Sequence, residues 1–176
     1  MNESRLGVDF GKVINDGRSA PGKGDTVFLS GGYDQAMATP ASAGCFDALA
    51  RLTAQFEGRV WVVSKCGERI QQRTEQWLDH HDFWARTGID SDQLRFCRRR
   101  PDKAVHCAEL GITHFVDDRA DVLGHLRDLV PHLYLFGHQG TPPPPWVRHT
   151  LDWADVEREI GLDTPALSSR EGRTKA

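Results

Sequence analysis

Residues 113–123 read THFVDDRADVL. Thr113 to Val116 suit a buried strand, and the strand runs directly into two adjacent carboxylates, Asp117 and Asp118. Beyond them Val122, Leu123, Leu126, Leu129 and Val130 recur at the spacing of one helical face. A short apolar strand that ends on polar residues and passes straight into a helix is one βα unit. The rest of the chain repeats that unit.

Upstream, Pro101 and Asp102 open a helix that runs to Leu110 and stops at Gly111, a residue suited to a left-handed cap. Leu94 to Cys97 is a strand before it. Val60 to Val63 is another, ending at Ser64, and a helix follows over roughly 68–80 with Ile70, Trp77 and Leu78 inward. Phe46, Leu49, Leu52 and Phe56 mark a helix that begins at Cys45 and stops at Gly58. The first strand is Leu6 to Phe10, stopping at Asp9-Phe10-Gly11. Downstream come a strand at Leu133 to Phe136, a rigid turn at Pro142 to Pro145 and a last helix at about Trp153 to Ile160. Residues 15–43 are rich in Gly, Ser, Pro and Asp and read as a loop or flap, with a short strand at Thr26 to Leu29. Strands of four or five apolar residues, each followed by a helix, predict an α/β, three-layer, Rossmann-like doubly wound sheet of about five parallel strands.

At 176 residues the chain fits one domain, expected over residues 1–162, with a polar, disordered tail over 163–176. A net charge of −3 gives no reason to expect nucleic acid or an anionic membrane as partner. No apolar run approaches the roughly 20 residues of a membrane span, and the first residues, MNESRLGVDF, lack the features of a secretory leader. Cys45, Cys66, Cys97 and Cys107 form no CxxC pair, which argues against a disulfide framework or structural zinc. The expected setting is cytoplasmic.

In a parallel sheet, ligands bind beyond the carboxyl ends of the strands. Asp9, Ser64 and the pair Asp117–Asp118 all fall at such ends. Converging carboxylates repel one another unless a cation lies between them, and a hard divalent ion such as Mg²⁺ suits an all-oxygen site. Lys103, fourteen residues before Asp117, can fold back to neutralise a phosphate. Ser64 can donate to a phosphoryl oxygen.

LGVDFGKVI, VWVVSKCG, RPDKAVHCAELGI and THFVDDRADVL, in this order, resemble the four motifs of the haloacid dehalogenase-like superfamily, from Leu6 to about Phe136. The resemblance implies a small phosphatase-like member. Asp9 is then the nucleophile that forms an aspartyl-phosphate, Ser64 the phosphate-binding hydroxyl, and Lys103 the charge partner of the nucleophile and the phosphate. Asp9, Asp117, Asp118 and the backbone carbonyl of Gly11 are implied as ligands of Mg²⁺, and Lys65 stands beside Ser64 as a substrate contact. The implied partner is a phosphorylated substrate.

One departure stands out. The family's phosphatases carry a second Asp two positions after the nucleophile as general acid and base, and this chain has Gly11 there. Such help is worth about 10² to 10⁴ in rate. A slow phosphatase, or one restricted to good leaving groups, is the first expectation, with Asp16 as a candidate substitute acid. The alternatives are a pseudo-phosphatase that binds a phosphorylated ligand or protein partner, and a nucleotide-directed phosphatase, for which FVDDR and Trp153 offer a family echo. A dehalogenase is disfavoured, because those relatives lack the metal that paired aspartates call for. Residues 15–43 and 79–93 are too few for a cap domain, so an open, essentially capless site is expected.

Other features read as ordinary structure. GRSAPGKG, residues 17–24, resembles a phosphate-binding Walker loop but lacks the Ser or Thr after its Lys. His80 and His81 point different ways on a helix. Trp77, Phe83 and Trp84 read as packing. Arg98, Arg99 and Arg100 read as a solvated basic turn that retains some weight as a substrate contact.

Overall fold

The computed structural model describes residues 3–17 and 26–164. Among them six parallel strands form one sheet in the order β3-β2-β1-β4-β5-β6. These are β1 (Leu6–Val8), β2 (Val60–Lys65), β3 (Leu94–Cys97), β4 (His114–Asp117), β5 (His132–Phe136) and β6 (Arg148–Thr150). The chain order reverses between β1 and β4, so the ligand-binding crevice of a doubly wound sheet falls where Asp9 and Asp117 end their strands.

Alternation along the strands explains the three layers. Val60 and Val62 face one core and Trp61 and Val63 the other, and all four are buried. The first core is closed by α3 (Cys45–Gln55), α4 (Glu68–His80), α5 (Phe83–Thr87) and α8 (Trp153–Asp163). The second is closed by α6 (Lys103–Leu110) and α7 (Ala120–Leu126). Leu49 and Leu52, one helical turn apart, and Trp77 and Leu78 are among the residues that fill the first core. Gly7 has a specific reason: a Cβ there would lie 2.5 Å from Cδ2 of Phe115, so only glycine lets that ring cross β1.

Three expectations need correction. Residues Thr26–Ser30 form a short helix, α1, and not a strand, and Tyr33–Met37 form α2 inside the stretch read as loop. Four apolar-leaning residues cannot separate the two periods, and the packing of Phe28 and Met37 into the first core decides for helix. The sheet has a sixth strand, β6, after the Pro142–Pro145 segment. Its sequence, Arg148-His149-Thr150, is polar because it lies at the sheet edge. The helix marked by Val122 ends at Leu126, and Leu129 and Val130 fall beyond it.

Gly111 does adopt the left-handed cap after α6, at φ +64°. Trp77 and Phe83 are fully buried, as packing requires. Residues 18–25 of the Walker-like stretch and 165–176 of the tail lie outside the described residues. Among the described residues no separate cap is present, and no helix is long and apolar enough to cross a membrane.

Candidate active site

Asp9 follows β1 directly, and its N–H donates to the Val116 carbonyl at 2.9 Å, tying the first strand end to the fourth. The chain then turns at once: the N–H groups of Ile14 and Asn15 both donate to the Phe10 carbonyl. Lys12 sits in the left-handed region at φ 62°, and its N–H donates to Asn15 Oδ1 at 2.9 Å. A non-glycine residue held there costs energy that the surrounding structure supplies. Trp153 Nε1 donates to the Val13 carbonyl at 3.0 Å, which anchors the same turn from below.

Lys103 enters from the first residue of α6 and is only 2% exposed. Its Nζ donates to Asp9 Oδ1 and to Asp117 Oδ2, both at 2.8 Å. Burial disfavours the ammonium, but Asp9 and Asp117 outweigh that and hold its pKa above the ordinary lysine value. The other oxygen of Asp117, Oδ1, accepts the Arg119 N–H at 3.0 Å. Gln139 Nε2 donates to the Asp118 carbonyl at 3.1 Å and fixes the backbone of the acidic pair.

The carboxylates outnumber the lysine. One oxygen from each of Asp9, Asp117 and Asp118 lies within 4.8 Å of the others. Burial and the Asp9 charge push the Asp117 carboxyl up to about 6. Burial, then Asp9 and Asp117, push Asp118 up to about 8. Like charges held together away from water produce this effect, and a cation removes it. The donor set is all oxygen, with the Gly11 carbonyl two residues from Asp9, so these residues fit a hard divalent ion.

A cavity of about 260 Å³ opens over the group. Asp9, Gly11, Ser64, Lys65, Lys103, Asp117 and Asp118 all line it, so these seven residues read from the sequence meet in one place. Ser64 is buried, with Cys97 Sγ 3.8 Å from its carbonyl, whereas Lys65 is exposed. Asp16 is not part of the lining; its N–H donates to the Pro40 carbonyl at 2.7 Å. Of the arginine run, Arg100 alone reaches the cavity.

Other lining residues escaped the sequence reading: Lys12, Asn15, Cys66 and Arg119, and an apolar wall of Phe28, Leu29, Ile70 and Val122. Arg119 and Lys12 could have been found by one rule, since each lies within three residues of a strand-end Asp. Phe28 and Leu29 could not, because their place depends on α1. That helix is fastened to α4 by Arg73, which donates to the carbonyls of Phe28 and Gly31 at 2.9 and 2.8 Å, and by Arg69, which donates to Leu29.

A haloacid dehalogenase-like hydrolase from Burkholderia xenovorans LB400 superposes with a TM-score of 0.63 at 11% identity, covering 92% of this chain and 98% of that one. The chain has the haloacid dehalogenase-like fold. A haloacid dehalogenase-like family hydrolase from Xanthomonas campestris shares this haloacid dehalogenase-like fold at a TM-score of 0.59 and 11% identity, over 99% and 100% of the two chains. A dehalogenase in an intermediate complex does so at 0.61 and 13%, over 92% and 97%. No protein-family model and no curated protein matches the sequence.

Proposed function

We propose that this chain is a Mg²⁺-dependent phosphohydrolase acting through an aspartyl-phosphate on Asp9. The observation that carries the reading is the buried excess of carboxylate, Asp9, Asp117 and Asp118 against Lys103, set beside Ser64 in one cavity at the switch point of the sheet. Asp9, Asp117, Asp118 and the Gly11 carbonyl would hold the ion. Bound magnesium supplies positive charge to the phosphoryl oxygens and offsets the carboxylates.

The chain's own groups account for the steps. A carboxylate oxygen of Asp9 attacks phosphorus as the bond to the leaving oxygen breaks. Lys103 holds Asp9 in position through its hydrogen bond, and with Ser64 it meets the equatorial oxygens. The leaving oxygen takes its proton from solvent, because position 11 offers no acid and Asp16 does not line the cavity. Water then cleaves the aspartyl-phosphate, releasing phosphate and restoring Asp9. Good leaving groups, such as acyl phosphates, are favoured accordingly.

Phosphate release from acyl and alkyl phosphates, with Mg²⁺ and with EDTA, tests the reading, with Asp9→Asn beside the wild type. Metal-dependent turnover that falls by about 10³-fold or more in the variant is expected. Full activity in Asp9→Asn would sink the proposal, and so would halide release from 2-haloacids without phosphate release. The second reading, a binding protein for a phosphorylated ligand, rests on Gly11. It predicts metal and ligand binding with no turnover on any ester. A nucleotide-directed phosphatase would show nucleoside monophosphates as the best substrates in the same panel.

A further inference from the structure

We infer that the substrate is an acyl phosphate with a short, uncharged hydrocarbon chain, and that Leu29 and Ile70 belong to the wall on which that chain packs; this rests on the phosphohydrolase reading. The cavity is not polar all round. Phe10, Phe28 and Leu29 of α1, and Ile70 of α4 line it together with Asp9 and Ser64. Phe10 follows the nucleophile directly, and its ring packs on Phe28 with centroids 5.6 Å apart. Ile70 packs against the same cluster. The apolar wall therefore begins one residue from the reacting carboxylate.

Phe10 and Phe28 are buried, whereas Leu29 is 38% exposed. A lone exposed leucine is ordinary, but this one is fixed in place. Arg69 donates to its carbonyl, and Arg73 donates to the carbonyls of Phe28 and Gly31 at 2.9 and 2.8 Å. These anchors hold a five-residue helix that is too short to be stable by itself. They keep the apolar surface of Leu29 at the cavity while it is still in contact with water. A hydrocarbon chain laid on it releases that water, which favours binding.

A second observation selects the bond that breaks. A Cβ at Gly11 would meet nothing within 4 Å, so the place where a side-chain acid would stand is open space. An acyl phosphate needs no acid there. As a carboxylate oxygen of Asp9 attacks phosphorus, the bond from phosphorus to the acyl oxygen breaks and its electron pair stays on that oxygen. The leaving group departs as a carboxylate, which is stable at neutral pH without a proton. An alkyl ester would depart as an alkoxide and would require one. At about 260 Å³ the cavity lies just under the range of about 300–1,000 Å³ usual for small-molecule sites, which suits a short chain.

The test compares acetyl, butyryl and succinyl phosphate, which share the reacting bond and differ only beyond the carbonyl, each corrected for its uncatalysed hydrolysis. With Mg²⁺ the wild type should favour butyryl over acetyl phosphate by about fivefold or more in kcat/KM. It should favour butyryl over succinyl phosphate, which ends in a carboxylate, by at least as much. Leu29→Gln and Ile70→Thr should each lower the butyryl-to-acetyl ratio by about threefold or more. Arg73→Met, which frees α1 without touching the chain, should lower the same ratio, which a general loss of stability would not move. The ketophosphonates in which a CH₂ replaces the bridging oxygen of butyryl and acetyl phosphate cannot react, and they carry the test to binding. Calorimetry on the wild type with Mg²⁺ should show the longer one bound about fivefold more tightly. That preference without turnover on any acyl phosphate would break the phosphohydrolase reading and keep the apolar wall. Equal rates on acetyl and butyryl phosphate, equal affinity for the two phosphonates, or a preference for succinyl phosphate overturns the wall itself.

Discussion

The sheet has a buried polar cluster at each end. At the C-terminal ends of β1 and β4, three carboxylates share one lysine, and two of those carboxyls are pushed upward. At the N-terminal ends of β4 and β5, the His114 ring stacks on His132 with centroids 4.5 Å apart. There His114 Nε2 bonds Thr164 Oγ1 at 2.9 Å and Nδ1 bonds Thr113 Oγ1 at 2.7 Å, and Tyr134 donates to Asp163 at 3.0 Å. The second cluster pairs its groups internally. The first leaves charge unmatched, and only an unmatched cluster has binding free energy to give to a ligand. Burial alone does not mark a functional site; burial without internal compensation does.

Removing the lysine breaks the contrast most. Lys103→Met leaves Asp9 and Asp117 buried without their cation and should cost about 3–5 kcal/mol in urea-unfolding stability at pH 7. Magnesium should then raise the melting temperature of this variant more than that of the wild type. An unchanged urea midpoint would mean that the carboxylates find another partner.

The opposite end should fail through acid instead. Burial, with the neighbouring His132, pushes His114 down to about 4, against 6.5 for an ordinary histidine. Between those values the unfolded chain binds more protons, so stability is whole above about 6.5 and is lost as pH falls towards 4, by up to about 3 kcal/mol. In His114→Leu that part of the acid slope should vanish, which denaturant titrations at pH 7 and pH 4.5 would reveal. Parallel slopes in the two proteins would refute the assignment.

Gly11→Asp sharpens the comparison at the first end. A Cβ at Gly11 would meet nothing within 4 Å, and its φ is not positive, so a side chain fits without strain. Turnover of alkyl phosphates should rise by about 10²-fold, with little change on acyl phosphates; an equal change on both would show that position 11 does not handle the proton. The smallest effect expected lies between the clusters. Gly7→Ala should cost about 1–3 kcal/mol by forcing its new Cβ into Phe115, measured as a lower thermal midpoint with the pH dependence intact.

The amino-acid sequence carried the site better than its walls. Asp9, Ser64 and Asp117–Asp118 each sit where a short apolar run meets a polar residue, and Lys103 opens the helix after Pro101-Asp102, local patterns that require no knowledge of neighbours. β6 offered no such pattern, because Arg148-His149-Thr150 lies at the sheet edge and earns its place by pairing with β5. The helix at Thr26–Ser30 is too short to show a period, and the Arg73 guanidinium on α4 donates to its Phe28 carbonyl from 45 positions away. Arg100 reads as part of a solvated basic turn, and Arg119 draws no reading at all, until Asp121 joins the two beside the cavity.

The position of β1 has a consequence for how the chain is made. It is synthesised before the other strands of the sheet, yet it lies at the sheet's centre, pairing Leu6 with Val60 on one side and with His114 on the other. Lys103 reaches Asp9 across 94 positions. Asp9 therefore emerges well before the residues that complete its surroundings, and the cavity forms only once the segment through Asp118 has emerged and docked. Recovery of the Lys103–Asp9 contact during refolding would report the closing of long-range contacts, which are slow to form, and would lag behind any probe of local helix.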